Sequence, residues 1–326
     1  MSFFRSSNSI LIVVIILTGI LTWLHVLIEP GTIVSDKYGT FMFQTVNGLL
    51  TNINGLHVWF GLILSLLIAF TLIFVNARLH LINKIPYLPA LCYILLIGGI
   101  PDTHLFNPVV IATILLVIGF VLLIASFENE MLSYRYFIVP ALISFATFFC
   151  QYMYVYMLVV WFVIAMWRPG YWREWVFSIL GFAMPLFFAF SWFFLVEDDL
   201  TVMGNFFHGM FNIQRIVPSL SVSVKVFFAL TSVLVVIIFG YTLRYVSSKK
   251  TAIRTGYYVL ILIAVTALAI AFIIPDTIPQ IWYLMSFPLS FIISFYLATV
   301  RSKRMRIVVL ALLFVGVIVA QALFHY

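Results

Sequence analysis

Long apolar runs, separated by short polar stretches, recur from one end of the chain to the other. Eleven stand out: about 10–28, 58–75, 86–100, 108–126, 134–149, 151–167, 175–196, 222–245, 256–274, 280–299 and 306–325. An α-helix needs about 20 apolar residues to cross the hydrocarbon core of a bilayer. The pattern therefore predicts an all-α polytopic transmembrane bundle of about eleven spans. Two places are irregular. Residues 134–167 form one run, too long for a single span. A break near Cys150 and Gln151 yields two short helices, whereas one long tilted helix would reverse every later segment. The 86–100 run is short, with Pro86 and Pro89 at its start, where proline is tolerated. Pro140, Pro185 and Pro288 fall inside runs and predict kinked or broken helices.

Composition agrees with this pattern. Of 326 residues, 65% are hydrophobic and 8% charged, against roughly half apolar and a quarter charged in a soluble domain. Disorder is excluded, and two cysteines cannot staple a chain of this size. Cys92 and Cys150 lie in apolar surroundings and read as inert packing residues. Eleven spans of about 20 residues take roughly 220 of the chain, leaving no room for a soluble catalytic domain. The apolar run after Arg5 exceeds the usual signal-peptide core and is not followed by a small-residue cleavage site. It reads as a retained first span, in a chain that is a single integral-membrane domain over 1–326.

The scarce charges set an orientation. Cytoplasmic loops are enriched in Lys and Arg. With the N-terminus inside and the C-terminus outside, 14 of the 17 bases fall inside, all but Lys37, Arg215 and Lys225. An unbroken helix through Cys150 would send four later basic clusters outside. The net charge of +7 is thus spread over inner loops and does not signal nucleic acid. Seven of the ten acids, and every histidine except His80, fall at outer ends.

The same orientation leaves two long outer connections, 29–57 and 197–221. From Thr40 to Leu56, apolar Phe41, Phe43, Val46, Leu49, Leu50 and Ile53 interleave with Gln44, Asn47 and Thr51, the spacing of an amphipathic interfacial helix. Met203, Phe206, Phe207, Met210 and Phe211 repeat the pattern in the second. Such helices either cover the bundle's end or roof an outer cavity for an amphiphilic substrate.

No zinc-protease, P-loop, dinucleotide or nucleophile-elbow motif is present. Asp102 and His104 offer two ligands to a divalent cation, and two ligands do not make a site; no cofactor is assigned. Pro101-Asp102-Thr103 recurs as Pro275-Asp276-Thr277, an ordinary helix stop followed by an N-cap. What remains is a set of outer polar groups. Asp36 and Asp102 are catalytic candidates, because a carboxylate at the surface serves as general base for a hydroxyl. Arg215, Lys225, His104 and His208 are substrate-binding candidates, the two cations for the phosphate of a lipid-linked donor. Lys225 equally suits a residue snorkelling from the start of its span.

Two resemblances follow. Trp167-Arg168-Pro169-Gly170-Tyr171-Trp172-Arg173-Glu174-Trp175, with Phe4-Arg5-Ser6 and Leu88-Pro89-Ala90, resembles an uncharacterised multi-pass family of Bacteroidota. That resemblance implies a bacterial inner membrane and brings no established activity. More loosely, the architecture is similar to the GT-C glycosyltransferases, which transfer sugars from polyprenyl-phosphate donors at the outer face. Asp36 falls where that class carries its first-loop acid and Asp102 where a second-loop acid would fall. The chain departs from the class in lacking an acidic pair in the first loop and a soluble outer domain. Three functions are carried forward. One is a lipid-linked glycosyltransferase of the envelope. Another is a non-catalytic subunit or scaffold bound to other membrane proteins. The third is a transporter, which the absence of charge near any span centre disfavours.

Overall fold

The computed structural model describes residues 8–28, 40–51, 56–82, 85–100, 104, 106–128, 133–197, 201–211, 221–274 and 278–324. Among them the protein is all-helical, without a strand. The helices are α1 (Asn8–Ile28), α2 (Phe41–Thr51), α3 (Leu56–Leu79), α4 (Leu88–Gly98), α5 (Pro108–Glu128), α6 (Arg135–Thr147), α7 (Met157–Trp167), α8 (Trp172–Trp192), α9 (Thr201–Phe211), α10 (Val222–Val246), α11 (Thr251–Ile273), α12 (Ile278–Thr299) and α13 (Lys303–Phe324). Seven described helices are long and apolar enough to cross a membrane: α3, α5, α8, α10, α11, α12 and α13. Apolar stretches in α1, α4, α6 and the region 151–167 are shorter. The protein is thus a polytopic membrane bundle that combines long helices with shorter apolar ones.

The break expected near Cys150 is present. Helix α6 ends at Thr147, Cys150 is extended (φ −136°, ψ 108°), and a 3₁₀ turn over Gln151–Tyr156 leads into α7. The turn and α7 pack back against α6, so 134–167 forms two antiparallel pieces and not one tilted helix.

Helix α4 is the centre. At about 1.5 Å per residue its 11 residues rise only about 16 Å. Ala90, Cys92, Tyr93, Ile94, Leu96 and Ile97 are wholly buried, with α12, α3 and α1 around them. Helix entry is ordinary, with Pro89 in the first turn, where its missing N–H costs nothing. The exit is the problem, because the last carbonyls of a helix have no partner within it and water is scarce at this depth. Side chains from three other segments supply donors. Trp282 Nε1 bonds Leu96 O at 2.8 Å, the His104 ring approaches Ile97 O at 3.4 Å, and Gln321 Nε2 reaches Gly98 O at 3.4 Å and Thr22 O at 2.9 Å. Close packing needs the glycines there. A Cβ on Gly98 would lie 2.5 Å from Thr22, and one on Gly99 2.0 Å from the Phe227 ring.

Polar residues collect at the two ends of the bundle. One end carries Arg78, Arg135, Arg168, Arg244, Arg254 and Arg301, all in or beside the terminal turns of helices. The other carries His25, His57, His104 and His208. At the arginine end, the distinctive stretch from Trp167 to Trp175 forms a latch. Arg168 Nη1 meets Glu174 Oε1 at 2.7 Å, with side chains 10% and 2% exposed. Its Nη2 donates to Ser126 O at 3.4 Å, and the guanidinium lies 5.8 Å from the Tyr136 and Tyr171 rings. One ion pair thereby ties α5, α6 and α8 to the turn before α8.

Candidate functional site

At the histidine end, both amphipathic segments of the sequence are helices, and they converge on one groove. Thr40 starts α2 by donating its hydroxyl to Phe148 O, at the end of α6. Phe43 then buries itself against Phe106, whose ring also meets Phe60 edge-on. Helix α9 lies on the 3₁₀ turn: Met203, Phe206 and Met210 face a cluster with Phe148 and Phe193. Tyr154 donates to Met210 O at 3.3 Å, and Gly209 lets the helix settle against Gln151, which a Cβ would meet at 2.6 Å. Each helix therefore buries one face and leaves the other open, as the spacing of its apolar residues requires.

Between them runs a cavity of about 1010 Å³. Its walls are Phe145 of α6 and Phe148 just past its end, Met184, Pro185, Phe188, Ala189 and Trp192 of α8, Phe193, and Val202 of α9. Met42 and Val46 of α2 close it, and Gln44 and Thr45 are its polar lining. Pro185 matters for the shape. Proline inside a helix removes a hydrogen bond to the preceding turn, and α8 passes into a π-helical turn over Phe193–Glu197. The arrangement is chemically simple: apolar walls that take hydrocarbon, with two hydrogen-bonding side chains on one edge.

The predicted site residues fall as follows. Asp36, Asp102 and Arg215 lie outside the described residues, as do Pro101-Asp102-Thr103 and Pro275-Asp276-Thr277. His104 is wholly buried and does not line the cavity. Its ring stacks on Trp23 at 4.0 Å, and Trp23 Nε1 donates to the His104 carbonyl at 2.8 Å. Burial, and then the nearby His25 ring 5.2 Å away, hold its pKa well below the ordinary histidine range. A neutral, packed imidazole positions the loop after α4 and is poorly placed to touch a substrate. His208 is exposed on α9, and Lys225 is exposed one turn into α10, a helix packed on α13 and α12. Neither is among the described lining residues. Among the described residues, no three His, Cys, Asp or Glu side chains group to hold a metal ion.

Phe148, Pro185, Phe188 and Trp192 were not singled out for the cavity by sequence reasoning, because apolar residues in apolar spans carry no signal of their own. Pro185 alone stands out in the sequence, as a kink inside an apolar run. No known protein family, curated protein or solved structure matches this chain.

Proposed function

We propose that the protein is an envelope enzyme of the bacterial inner membrane that draws a polyprenyl-phosphate-linked sugar into the groove at its histidine end and transfers the sugar at the outer face. The observation that carries this reading is the groove itself, roofed by two amphipathic helices and walled by hydrocarbon, with polar groups on its α2 edge. Prenyl chains bind by apolar burial, and the polar edge is where a phosphate and sugar would emerge. Enrichment of Lys and Arg at the opposite end supports placing the histidine end outside.

Chain connectivity supports the choice of chemistry. Asp36 precedes Thr40 by four residues, Asp102 precedes Phe106 by four, and Arg215 follows Phe211 by four; the first two anchors pack around α2 and the third ends α9. In the proposed reaction the Asp36 carboxylate takes the proton of an acceptor hydroxyl. The acceptor oxygen bonds the sugar's anomeric carbon as the carbon–oxygen bond to phosphate breaks, and the polyprenyl phosphate leaves with that electron pair. Arg215 neutralises the departing phosphate. Lys225 and His208 receive no role.

A polyprenyl-phosphate probe carrying a photoreactive tail tests the reading on the reconstituted protein. Labelling should map to α2, α8 or α9, and transfer from a polyprenyl-phosphate sugar should be lost on Asp36→Asn. Labelling at Phe188 or Trp192 with full activity in D36N would remove the base assignment alone. Labelling elsewhere would sink the reading and leave the scaffold alternative, in which a stoichiometric membrane partner copurifies.

A further inference from the structure

A second cleft, at the arginine end, has a different chemistry. It holds about 250 Å³ between α3, α5 and the start of α6. Two arginines line it, Arg78 from the last turn of α3 and Arg135 from the first residue of α6. The rest of its lining is almost wholly apolar, with Phe74, Val117 and Val121 prominent. Thr71 also lines it, and its hydroxyl is spent on Leu67 O.

Among the described residues, the two arginines satisfy neither each other nor a carboxylate. Like charges on one small cleft repel, and the ion pair shown among the described residues uses Arg168 and Glu174. Arg135 Nε and Nη1 are shielded from solvent without a hydrogen-bond partner among the described residues. Its guanidinium has one ring contact, Tyr134 at 6.0 Å. A shielded guanidinium with unmet donors is costly unless something accepts from them. Two cations on one cleft favour an acceptor that carries negative charge, offers oxygens to a forked donor, and continues into hydrocarbon beside Phe74 and Val121.

We infer that this cleft is a binding site for an anionic phospholipid of the leaflet at the arginine end, with its phosphodiester held between Arg78 and Arg135 and an acyl chain along α3 and α5. Guanidinium–phosphate pairing supplies fixed geometry as well as charge, and membrane proteins bind lipid headgroups in basic pockets between helices. The site is independent of the groove at the other end, so it stands whether or not that groove handles a prenyl donor.

The test is native mass spectrometry on the delipidated full chain, titrated separately with phosphatidylglycerol and phosphatidylcholine. One phosphatidylglycerol should be retained in preference to phosphatidylcholine. The double variant R78Q/R135Q should weaken phosphatidylglycerol roughly tenfold or more while leaving phosphatidylcholine unchanged. V121F, which fills the cleft and keeps both charges, gives a second route and should also displace phosphatidylglycerol. Equal retention of the two lipids by the unmodified protein would overturn the inference. So would undiminished phosphatidylglycerol binding in either variant, or its displacement by inorganic phosphate at equal concentration.

Discussion

Helices α8 and α12 are nearly the same sequence object: mostly apolar helices of 21 and 22 residues, each with one proline inside. In the fold they are opposites. Of α12's span 94% is buried, of α8's only 11%. The difference lies in what accompanies the hydrocarbon. Helix α12 carries Ser286, Ser290 and Ser294, four residues apart and all wholly buried. Ser286 and Ser290 bond carbonyls of their own helix at 2.7 Å. Small residues at that spacing let helices approach closely in a membrane, and α12 packs on α4. Helix α8 instead carries Phe187, Phe188, Phe190 and Trp192, all exposed. Bulk against lipid is harmless, so α8 is free to wall a groove.

Trp282 and Trp192 offer the sharpest test, because the same truncation is made on both helices. Trp282→Ala opens a cavity and strips Leu96 O of its donor, so it should cost about 3–5 kcal/mol. Trp192→Ala removes a side chain 57% exposed and should leave thermal unfolding in detergent almost unchanged, altering only capture of the prenyl probe. Equal destabilisation would show that Trp192 holds α8 in place despite its exposure.

Glu174 probes how α8 is attached. Breaking a buried pair by removing one partner leaves an uncompensated charge and costs about 3–5 kcal/mol. Glu174→Ala should therefore loosen α8 nearly as much as Trp282→Ala loosens the centre, with limited proteolysis appearing first around 168–172. A stability equal to wild type would mean that Arg168 is held by its carbonyl and rings alone.

Gly181 marks the other attachment. A Cβ there would lie 2.2 Å from Phe137 O, a backbone atom that cannot swing aside. Gly181→Ala should push α8 from α6 and cost about 1–3 kcal/mol. Because α6 and α8 both wall the groove, probe labelling should change as well. An unchanged labelling pattern would separate the groove's shape from that contact.

Sequence patterning carried the class of the fold and less of its interior. Apolar runs marked every helix of the bundle, and the period of apolar residues marked α2 and α9, because an interfacial helix must segregate its faces. The break at Cys150 was legible from the length of the run and from the alternation of basic loops. What hydropathy could not separate was α4 from a full span, or α12 from α8, since lipid and protein interior are equally apolar. The Arg168–Glu174 latch was visible only as an unusual string, its partners Ser126 and Tyr136 being distant in sequence. For the site, spacing pointed to the two roof helices, but the walls came from residues with no polar signature.

The faintest expected effect tests the histidine end from the inside. His104 touches Ile97 O through Nε2, and a carbonyl only accepts, so the ring carries its proton there. Protonating Nδ1 as well would place a charge beside His25 in a wholly buried site. The folded-state pKa is therefore depressed below the unfolded value of about 6.5. A depressed pKa contributes stability that is fully present above that value and is lost as pH falls toward the folded one, because the unfolded chain then binds the extra proton. Between pH 7 and 5 unfolding should become easier by no more than about 1.4 kcal/mol per pH unit, and His104→Gln should flatten that slope. Trp23→Ala, which exposes the ring, should flatten it too by letting the folded pKa rise. If the slope survives both changes, the acid-sensitive group lies elsewhere, and the histidine end is held by packing that protonation does not reach.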